Sequence, residues 1–381
     1  MKIVIAPDSY KESLRALGVA HAIERGFRAI FPLATYVSIP LADGGEGTVE
    51  AMISATGGTK VKENVKGPLG TDVAAFWGLS GDGKTAFIEM AAASGLEQIP
   101  PALRDPLRTT SFGTGQLIRA ALASGVNHII IGIGGSATND GGAGMIQALG
   151  GRLLDRAGND IGWGGGSLSE IAAIDMRRFE PRVKQCRIDV ACDVTNPLTG
   201  PNGASWVFGP QKGATPAVVE LLDNNLRHYA GVIKHQLNIE VDGIAGAGAA
   251  GGMGAALLAF CGASLRKGIE IVTEALELER HIKDCDLVVT GEGRIDGQSI
   301  NGKVPIGVAA IAKKHRKPVI GIAGSLSCDV DVVYQQGIDA VFSVIYEICS
   351  LEQAMLNASD NVTKTARNVA AALRCMKGVR L

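Results

Sequence analysis

The chain has 381 residues, of which 46% are hydrophobic and 20% charged, so it is long enough for two domains and too apolar for a disordered protein. Its 37 basic and 38 acidic residues give a net charge of −1, and aromatic residues make up only 4%, which argues against a nucleic-acid partner. No apolar run reaches the roughly 18 residues of a membrane span, and the seven cysteines form no CxxC pair. We therefore expect a soluble cytoplasmic protein with no nucleic-acid or membrane partner.

The chain opens with two strand–helix pairs. Residues 2–6 and 36–41 are short apolar runs, and each precedes a stretch in which apolar residues recur three or four positions apart. This order is typical of a domain built on a parallel sheet.

The pattern changes near residue 67. Residues 73–79 and 85–90 are extended runs joined by Ser80-Gly81-Asp82-Gly83-Lys84, and Gly-Asp-Gly between extended runs predicts a hairpin. Antiparallel pairing inside an α/β pattern indicates that a second domain begins here.

Further strands are predicted at residues 128–133 and 187–192, and the parallel pattern returns at 286–290, 318–323 and 339–345. We predict an α/β fold of two domains. One is a discontinuous, flavodoxin-like parallel-sheet domain of about five strands, formed by residues 1–66 and 284–381. The other is a mixed α/β domain, residues 67–283, inserted into it.

Residues 78–85 match G-x-x-x-x-G-K-[ST], the pattern of a phosphate-binding loop. Such a loop lies between a strand and a helix, whose N-terminus contributes to phosphate binding. The segment after Lys84-Thr85 is strand-like instead. We interpret the match as a hairpin turn with Lys84 exposed to solvent.

Two segments, residues 246–251 and 132–137, match the glycine pattern of dinucleotide-binding proteins. A weak strand precedes the first. The second is followed by Asn139 and Asp140, and a carboxylate there would repel a pyrophosphate unless a cation intervened. Neither context favours a nicotinamide cofactor.

Polar residues follow most of the predicted strands, usually beside glycine. In open parallel sheets ligands bind beyond the carboxyl ends of the strands. One such loop could be ordinary turn chemistry, but six are harder to explain that way. Hydroxyls beside glycine suit phosphate, several carboxylates suit Mg²⁺, and cations suit a moving phosphoryl group, so the set favours phosphoryl transfer over hydride transfer. The residues are Asp8, Ser9, Lys11, Asp43, Glu46, Ser136, Asn139, Asp140, Asp193, Asn196, Glu292, Arg294, Asp296 and Ser325.

Seven stretches, spread over the whole chain, carry a resemblance to a known family. They are APDSYKESL (6–14), ADGGEGT (42–48), GIGGSATNDGGAGMIQALG (132–150), ACDVTNPL (191–198), FGPQKGA (208–214), GAGAAGGMGAAL (246–257) and TGEGRIDGQS (290–299). In this order they resemble the bacterial glycerate kinase family of the type that yields 2-phosphoglycerate. Phe112 and Gln116 depart from the family pattern, which has tyrosine or arginine and then glutamate.

The resemblance implies transfer of the γ-phosphate of ATP to D-glycerate with Mg²⁺, in a cleft between two α/β domains. On this basis Asp193 is the general base or a Mg²⁺ ligand, with an Asx turn as the alternative. Asp8, Ser9 and Lys11 are expected to bind the substrate carboxylate or a phosphate, although Ser9 or Ser13 could instead cap the first helix.

The remaining expected roles are metal and phosphate binding. Asp296, Glu292, Asp43 and Glu46 are the metal candidates, with solvated or loop-ordering side chains as the alternative. Arg294, Lys212 and Lys303 are candidate anion-binding cations, for which surface salt bridges are the alternative, and Lys11 and Arg294 are also assigned to catalysis. The loop 134–142 is expected to hold phosphates through Gly134, Gly135, Ser136, Asn139 and Asp140.

Two other functions stay open on the residues alone. One is a nicotinamide-dependent dehydrogenase of a small hydroxy acid, and the other is a two-lobed protein that binds a small molecule without chemistry. The oligomeric state is also open, with a homodimer as one option, and only the resemblance favours the 2-hydroxyl as the phosphorylated position.

Overall fold

The structure is a computed structural model that describes residues 1–45, 47–297 and 303–376. Among these residues, no helix is long and apolar enough to cross a membrane. The strands, in chain order, are β1 (Lys2–Ile5), β2 (Thr35–Ser38), β3 (Thr59–Lys66), β4 (Asp72–Leu79), β5 (Thr85–Glu89), β6 (His128–Gly132), β7 (Arg152–Leu154), β8 (Ala173–Asp175), β9 (Arg187–Ala191), β10 (Ser264–Arg266), β11 (Leu287–Thr290), β12 (Arg294–Ile295), β13 (Val319–Ala323), β14 (Ser325–Leu326) and β15 (Ala340–Ser343).

The helices cover the faces of the sheets and connect their strands. They are α1 (Ala16–Arg28), α2 (Thr48–Thr56), α3 (Ala91–Ser94), α4 (Phe112–Ala123), α5 (Ala143–Ala148), α6 (Ala204–Phe208), α7 (Pro216–Leu237), α8 (Ala249–Cys261), α9 (Gly268–Ala275), α10 (Leu278–Lys283), α11 (Val304–Lys314), α12 (Leu351–Leu356) and α13 (Ala358–Met376).

The chain divides into two compact units. Unit 1 contains Met1–Asp43, Ser54–Thr56 and Ile269–Leu381, and unit 2 contains Gly44–Ile53 and Gly57–Gly268.

Unit 1 is built on a parallel sheet of five strands in the order β15-β13-β11-β1-β2. The prediction of five parallel strands is confirmed. Ile3, Val4 and Ile5 of β1 are all buried, as expected of a central parallel strand covered on both faces. Because β1 pairs with β11, the loops that follow these two strands emerge side by side.

Unit 2 is built on a six-stranded mixed sheet in the order β10-β9-β6-β5-β4-β3. β10, β9, β6 and β5 run parallel, while β4 and β3 are antiparallel additions. The predicted hairpin of residues 73–79 and 85–90 is confirmed as β4 and β5, with Gly78 opposite Phe87.

β3 was not predicted as a strand, and its residues were assigned to the first domain. In the structure β3 pairs with β4 along its whole length, from Thr59 opposite Leu79 to Lys66 opposite Asp72. A tight turn, in which the amide of Gly67 donates to the carbonyl of Thr71, joins the two strands, so β3 extends the sheet of unit 2. The domain bounds remain a prediction.

Candidate active site

Three carboxylates of unit 1 follow neighbouring strands. The backbone amide of Asp8 donates to the carbonyl of Gly291 at 2.8 Å, which places Asp8 beside Glu292. The amide of Leu41 donates to the carbonyl of Pro7 at 2.9 Å, and Asp43 follows Leu41 by two residues. The sheet thus brings the loops of Asp8, Asp43 and Glu292 to one edge, as the sequence predicted for loops at strand ends.

Burial dominates the electrostatics of Asp8. Burial, and next the negative charge of Asp43, raise the pKa of Asp8 to about 7. The amide of Ser9, which donates to Asp8 Oδ1 at 2.6 Å, opposes this rise, whereas Glu292 adds to it. Burial and the charge of Glu292 also raise the pKa of Tyr10, whose hydroxyl donates to the carbonyl of Ile322 at 2.8 Å. These carboxylates therefore repel one another in a poorly solvated environment. Such an arrangement is common where a bound ligand supplies a compensating positive charge.

Replacing Asp8 with asparagine should stabilise the protein by about 1–3 kcal/mol at pH 8, because it removes a buried negative charge near two others. The measurement is urea unfolding in a buffer with a chelator. Asp82→Asn is the control, since Asp82 is solvated and accepts bonds within its own turn, and it should bring no gain. A loss of stability in Asp8→Asn would contradict this account.

The predicted cations of unit 1 contact carboxylates. Lys303 Nζ lies 3.5 Å from Glu292 Oε2 and 3.7 Å from Asp296 Oδ1, and Arg294 Nε lies 3.4 Å from Asp296 Oδ2. Lys11 is exposed, and its charge lowers the pKa of Asp8 slightly. An anion would therefore have to compete with existing ion pairs for Lys303 and Arg294.

The metal candidates are only partly brought together. Glu292 is buried, so the alternative of a solvated loop does not hold for it. Within residues 1–45, 47–297 and 303–376, no three His, Cys, Asp or Glu side chains stand in metal-binding geometry. Glu46 lies outside the described residues.

The first helix of unit 1 is not capped by either predicted serine. α1 has Arg15 as its N-cap residue and no side-chain cap. The hydroxyl of Ser13 donates to the carbonyl of Met355 at 3.1 Å instead, and the amide of Ser9 is used by Asp8. The capping alternative is therefore wrong for both, because α1 begins only at Ala16 and has no side-chain cap.

In unit 2, strand β6 leads into the predicted phosphate loop. Gly134 and Gly135 are exposed, and Gly135 has a left-handed backbone (φ 71°) that glycine adopts without strain. Ser136 follows them at the end of this open stretch. The backbone here is thus accessible to an anion.

Lys212 lies beneath this loop. Its side chain is only 1% exposed, and its Nζ donates at 2.7 Å to both Ser136 Oγ and the carbonyl of Thr138. Burial lowers the pKa of Lys212 to about 7, and the charge of Asp140 opposes the change. The alternative of a surface salt bridge is therefore wrong for Lys212, since Lys212 contacts the loop from inside the protein.

Asn139 and Asp140 are fully buried. Asn139 Nδ2 donates to Ser205 Oγ at 2.9 Å. Asp140 accepts from the amide and hydroxyl of Ser111 and from the amides of Gly142 and Gly144, the last two at the start of α5. In this structure both side chains shape the loop and do not face solvent.

A second glycine-rich segment, at the start of α8, packs against the same loop. Residues 250–252 have left-handed backbone, and the amide of Gly141 donates to the carbonyl of Gly251. A Cβ atom at Gly251 would lie 1.9 Å from the carbonyl oxygen of Thr138. The glycines at 251 and 252 therefore serve close packing of loop against loop.

Asp193 follows β9 and is exposed. Its Oδ1 accepts from the amide of Gly268 at 3.1 Å. Further along the same loop, Asn196 Nδ2 donates to the carbonyl of Asn202 at 2.8 Å.

A family model for the glycerate kinase family matches residues 3–374. The chain belongs to the glycerate kinase family. It is 68% identical over 373 residues to the glycerate 2-kinase of Escherichia coli K12, covering 98% of both chains. It is 56% identical over 377 residues to a glycerate kinase of Bacillus subtilis 168, covering 99% of both.

The fold comparison agrees with this membership. A crystal structure of a candidate glycerate kinase 2 from Salmonella typhimurium LT2 matches with a TM-score of 0.93 and 66% identity, over all of both chains. The resemblance predicted from the seven sequence stretches is thus confirmed.

Within this family member, the P-loop-like stretch is a hairpin turn. The hydroxyl of Ser80 donates to Asp82 Oδ1 and accepts from the amide of Thr85, while Gly83 takes the left-handed conformation. Strand β5, not a helix, follows the turn, and Lys84 is exposed. The sequence interpretation is confirmed.

Lys84→Ala should change turnover by no more than about two-fold, because a solvated turn lysine makes little net contribution. Glycerate-dependent ADP release measures this. A fall of ten-fold or more would show that the turn takes part in phosphate binding after all.

Sequence reasoning missed several residues that build these loops. The hydroxyl of Ser111 donates to Asp140, and the hydroxyl of Ser205 accepts from Asn139. The hydroxyl of Tyr10 donates to the carbonyl of Ile322 near the end of β13. No local pattern marks them, because each acts on a residue distant in the chain. The FGPQKGA stretch did single out Lys212, but nothing in it indicates burial.

Proposed function

We propose that the chain is an ATP-dependent glycerate 2-kinase, which transfers the γ-phosphoryl group of ATP to the 2-hydroxyl of D-glycerate. The observation that carries the proposal is the 68% identity, over 98% of both chains, to a protein named glycerate 2-kinase. Full-length relatives named as kinases favour this function over the dehydrogenase and the binding protein considered above.

The donor set of unit 1 fits Mg²⁺, a cation that prefers oxygen ligands and usually takes one or two carboxylates together with phosphates and water. Asp43 and Glu292 would hold it, with Glu292 giving up its contact with Lys303, and Asp296 would have to exchange its own ion pairs to join them. Glu46, the fourth candidate, is outside the described residues. When bound, the cation neutralises charge on the phosphates of ATP.

The residues of the chain have four proposed tasks. Gly134, Gly135 and Ser136 bind phosphate oxygens through accessible backbone and a hydroxyl, while Lys212 orients Ser136 from below. Asp193 accepts the proton of the attacking hydroxyl. Asp8, Ser9 and Lys11 bind the glycerate carboxylate or a phosphate, and Arg294 and Lys303 stabilise the transferred group.

The fold supports the proposal at one further point. Renumbered within unit 1, the sheet order is 2-1-3-4-5, which is the flavodoxin-like order, and its ligand-binding switch point lies between the first and third strands. Those strands are β1 and β11, which precede Asp8 and Glu292. The location of the active site in a cleft between domains, the cytoplasmic location and a homodimer remain predictions of the sequence.

The test is ADP release from ATP and Mg²⁺ on addition of each member of a panel of hydroxy acids. We expect turnover with D-glycerate, and ³¹P and ¹H NMR of the product should show phosphate on the 2-position. If no hydroxy acid of the panel causes ADP release, the kinase proposal is contradicted. An absorbance change with a nicotinamide cofactor would support the dehydrogenase, and ligand stabilisation without turnover would support the binding protein.

A further inference from the structure

A surface groove of unit 2 has been assigned no role so far. Its volume is about 400 Å³, within the usual range for small-molecule sites, and it lies beside the start of α4, the α5 helix and the hairpin of β7 and β8. A smaller depression of about 220 Å³ adjoins it and shares Arg152 and Arg178. None of the groove residues belongs to the phosphate loop or to the carboxylates described above.

One wall of the groove is aromatic. The rings of Phe112 and Trp163 lie 5.0 Å apart between centroids, tilted by 43°, and Trp163 is 39% exposed. Phe112 fixes Trp163 from one side, so an exposed part of the indole is held in place. An ordered, partly exposed indole is a surface on which a planar ring stacks.

The groove and the adjoining depression carry unbalanced positive charge. Arg152 makes a bidentate pair with Asp160, at 2.9–3.2 Å, and Arg177 makes one with Asp175 in the adjoining depression. Arg178 lines both cavities, and within the described residues its guanidinium makes no hydrogen bond or ion pair. Three arginines thus face two carboxylates, which leaves one planar, always charged donor for an anion.

One residue that lines the groove, Gln147, also has a buried acceptor atom without a partner. Gln147 Nε2 donates to the carbonyl of Ile161 at 3.1 Å, and this fixes the amide group. Gln147 Oε1 is buried and has no hydrogen-bond partner. Buried polar atoms of this kind are few in native proteins and usually meet a water or a ligand group.

We propose that this groove is a second ligand site, which binds a nucleoside monophosphate. The base stacks on Trp163, and the phosphate is held by Arg178. Arg152, in the groove, and Arg177, in the adjoining depression, stay paired with their own carboxylates. The combination selects a ligand that has both a planar ring and an anionic group, since neither the aromatic wall nor one arginine alone provides more than a weak contact.

The test uses AMP as the probe and the full chain with its phosphotransfer site saturated by a non-hydrolysable ATP analogue and Mg²⁺. Trp206→Phe is the background, because Trp77 is buried and Trp163 then reports as the remaining exposed tryptophan. We expect saturable quenching by AMP, with adenosine and inorganic phosphate each binding at least ten-fold more weakly.

In the same background, Arg178→Ala should raise the Kd for AMP at least ten-fold. Arg156→Ala, a change of another exposed arginine of the unit, should leave it unchanged. In both variants, glycerate-dependent ADP release should stay within about two-fold of the Trp206→Phe background. A failure of the groove proposal can therefore be distinguished from a failure of the proposed kinase function.

Three results would overturn the proposal. They are absence of saturable quenching in the presence of the ATP analogue, an unchanged Kd in Arg178→Ala, and joint loss of AMP binding and turnover in a variant that keeps its melting temperature. The last result would make the groove part of the phosphotransfer site.

Discussion

Asp193→Asn should lower kcat for glycerate phosphorylation by about 10²–10⁴-fold, the usual contribution of a positioned general base. The change keeps the shape of the side chain and its ability to accept from the amide of Gly268, so the loop should stay in place. What is lost is the negative charge and the basicity that the hydroxyl of glycerate would need.

The position of Asp193 supports this assignment. It lies two residues after β9, at the carboxyl end of the parallel part of the unit 2 sheet, and its side chain is exposed. The hydrogen bond from Gly268 fixes one carboxylate oxygen, which is how a catalytic carboxylate is usually oriented.

The measurement is steady-state ADP release together with nucleotide binding by thermal shift, which should be unaffected. Asp155→Asn is the matched control, because Asp155 is another aspartate of unit 2 that accepts backbone amides, those of Ala157 and Asn159, and it should lose less than two-fold. Near-normal turnover in Asp193→Asn would refute the assigned role.

Lys212→Met should lower kcat/KM for ATP by at least about 100-fold. Two hydrogen bonds from the buried ammonium, to Ser136 Oγ and the carbonyl of Thr138, disappear, and hydrogen bonds to charged groups contribute about 1.5–3 kcal/mol each. Ser136 would no longer be oriented, and the positive charge below the phosphate loop would be gone. Methionine has a similar length and no charge to bury, so the protein should still fold.

A pH dependence accompanies this prediction. The pKa of Lys212 is lowered from 10.5 to about 7 in the folded state, so between these values the unfolded chain binds more protons than the folded one. The free energy of unfolding contributed by this group therefore rises as the pH increases from about 7 toward 10.5, and the penalty of the buried charge is fully present below pH 7.

Urea unfolding at pH 6, 7.5 and 9 tests this dependence. The stability of the wild-type protein relative to Lys212→Met should rise with pH across this series. Lys84→Met is the control, and its difference from the wild type should stay constant, since Lys84 is exposed. A flat difference for Lys212→Met would mean that Lys212 titrates at its ordinary pKa.

The sequence predicted those parts of the fold that depend on local patterns. The run Lys2–Ile5 reads as a strand because its apolar residues are β-branched, and Gly81-Asp82-Gly83 reads as a turn because glycine tolerates the conformation that the turn needs. The carboxylates after the strands were found by the rule for parallel sheets, which depends only on where each strand ends.

The rest depended on contacts between distant segments. Lysine is seldom fully buried, so nothing at Lys212 predicts that Ser136 and Thr138 would be its partners. Asp140 was predicted as a phosphate ligand because it follows a strand. In the structure its carboxylate instead accepts a hydrogen bond from the hydroxyl of Ser111, which lies 29 residues earlier in the chain. β3 has mostly polar residues, and its two valines, Val61 and Val65, are four positions apart, a weak strand signal that only its pairing with β4 resolves.

The central position of β1 has a consequence for the synthesis of the protein. Of the five strands in that sheet, β1 is synthesised first and its neighbour β11 third. The hydroxyl of Thr290, at the end of β11, donates to the carbonyl of Ala6, which lies 284 residues earlier in the chain. At about 5–20 residues per second, the ribosome needs roughly 15–60 s to bridge that interval. Until then β1 lacks its partner on the side of β11, so the nascent chain carries an open apolar strand edge that is exposed to aggregation.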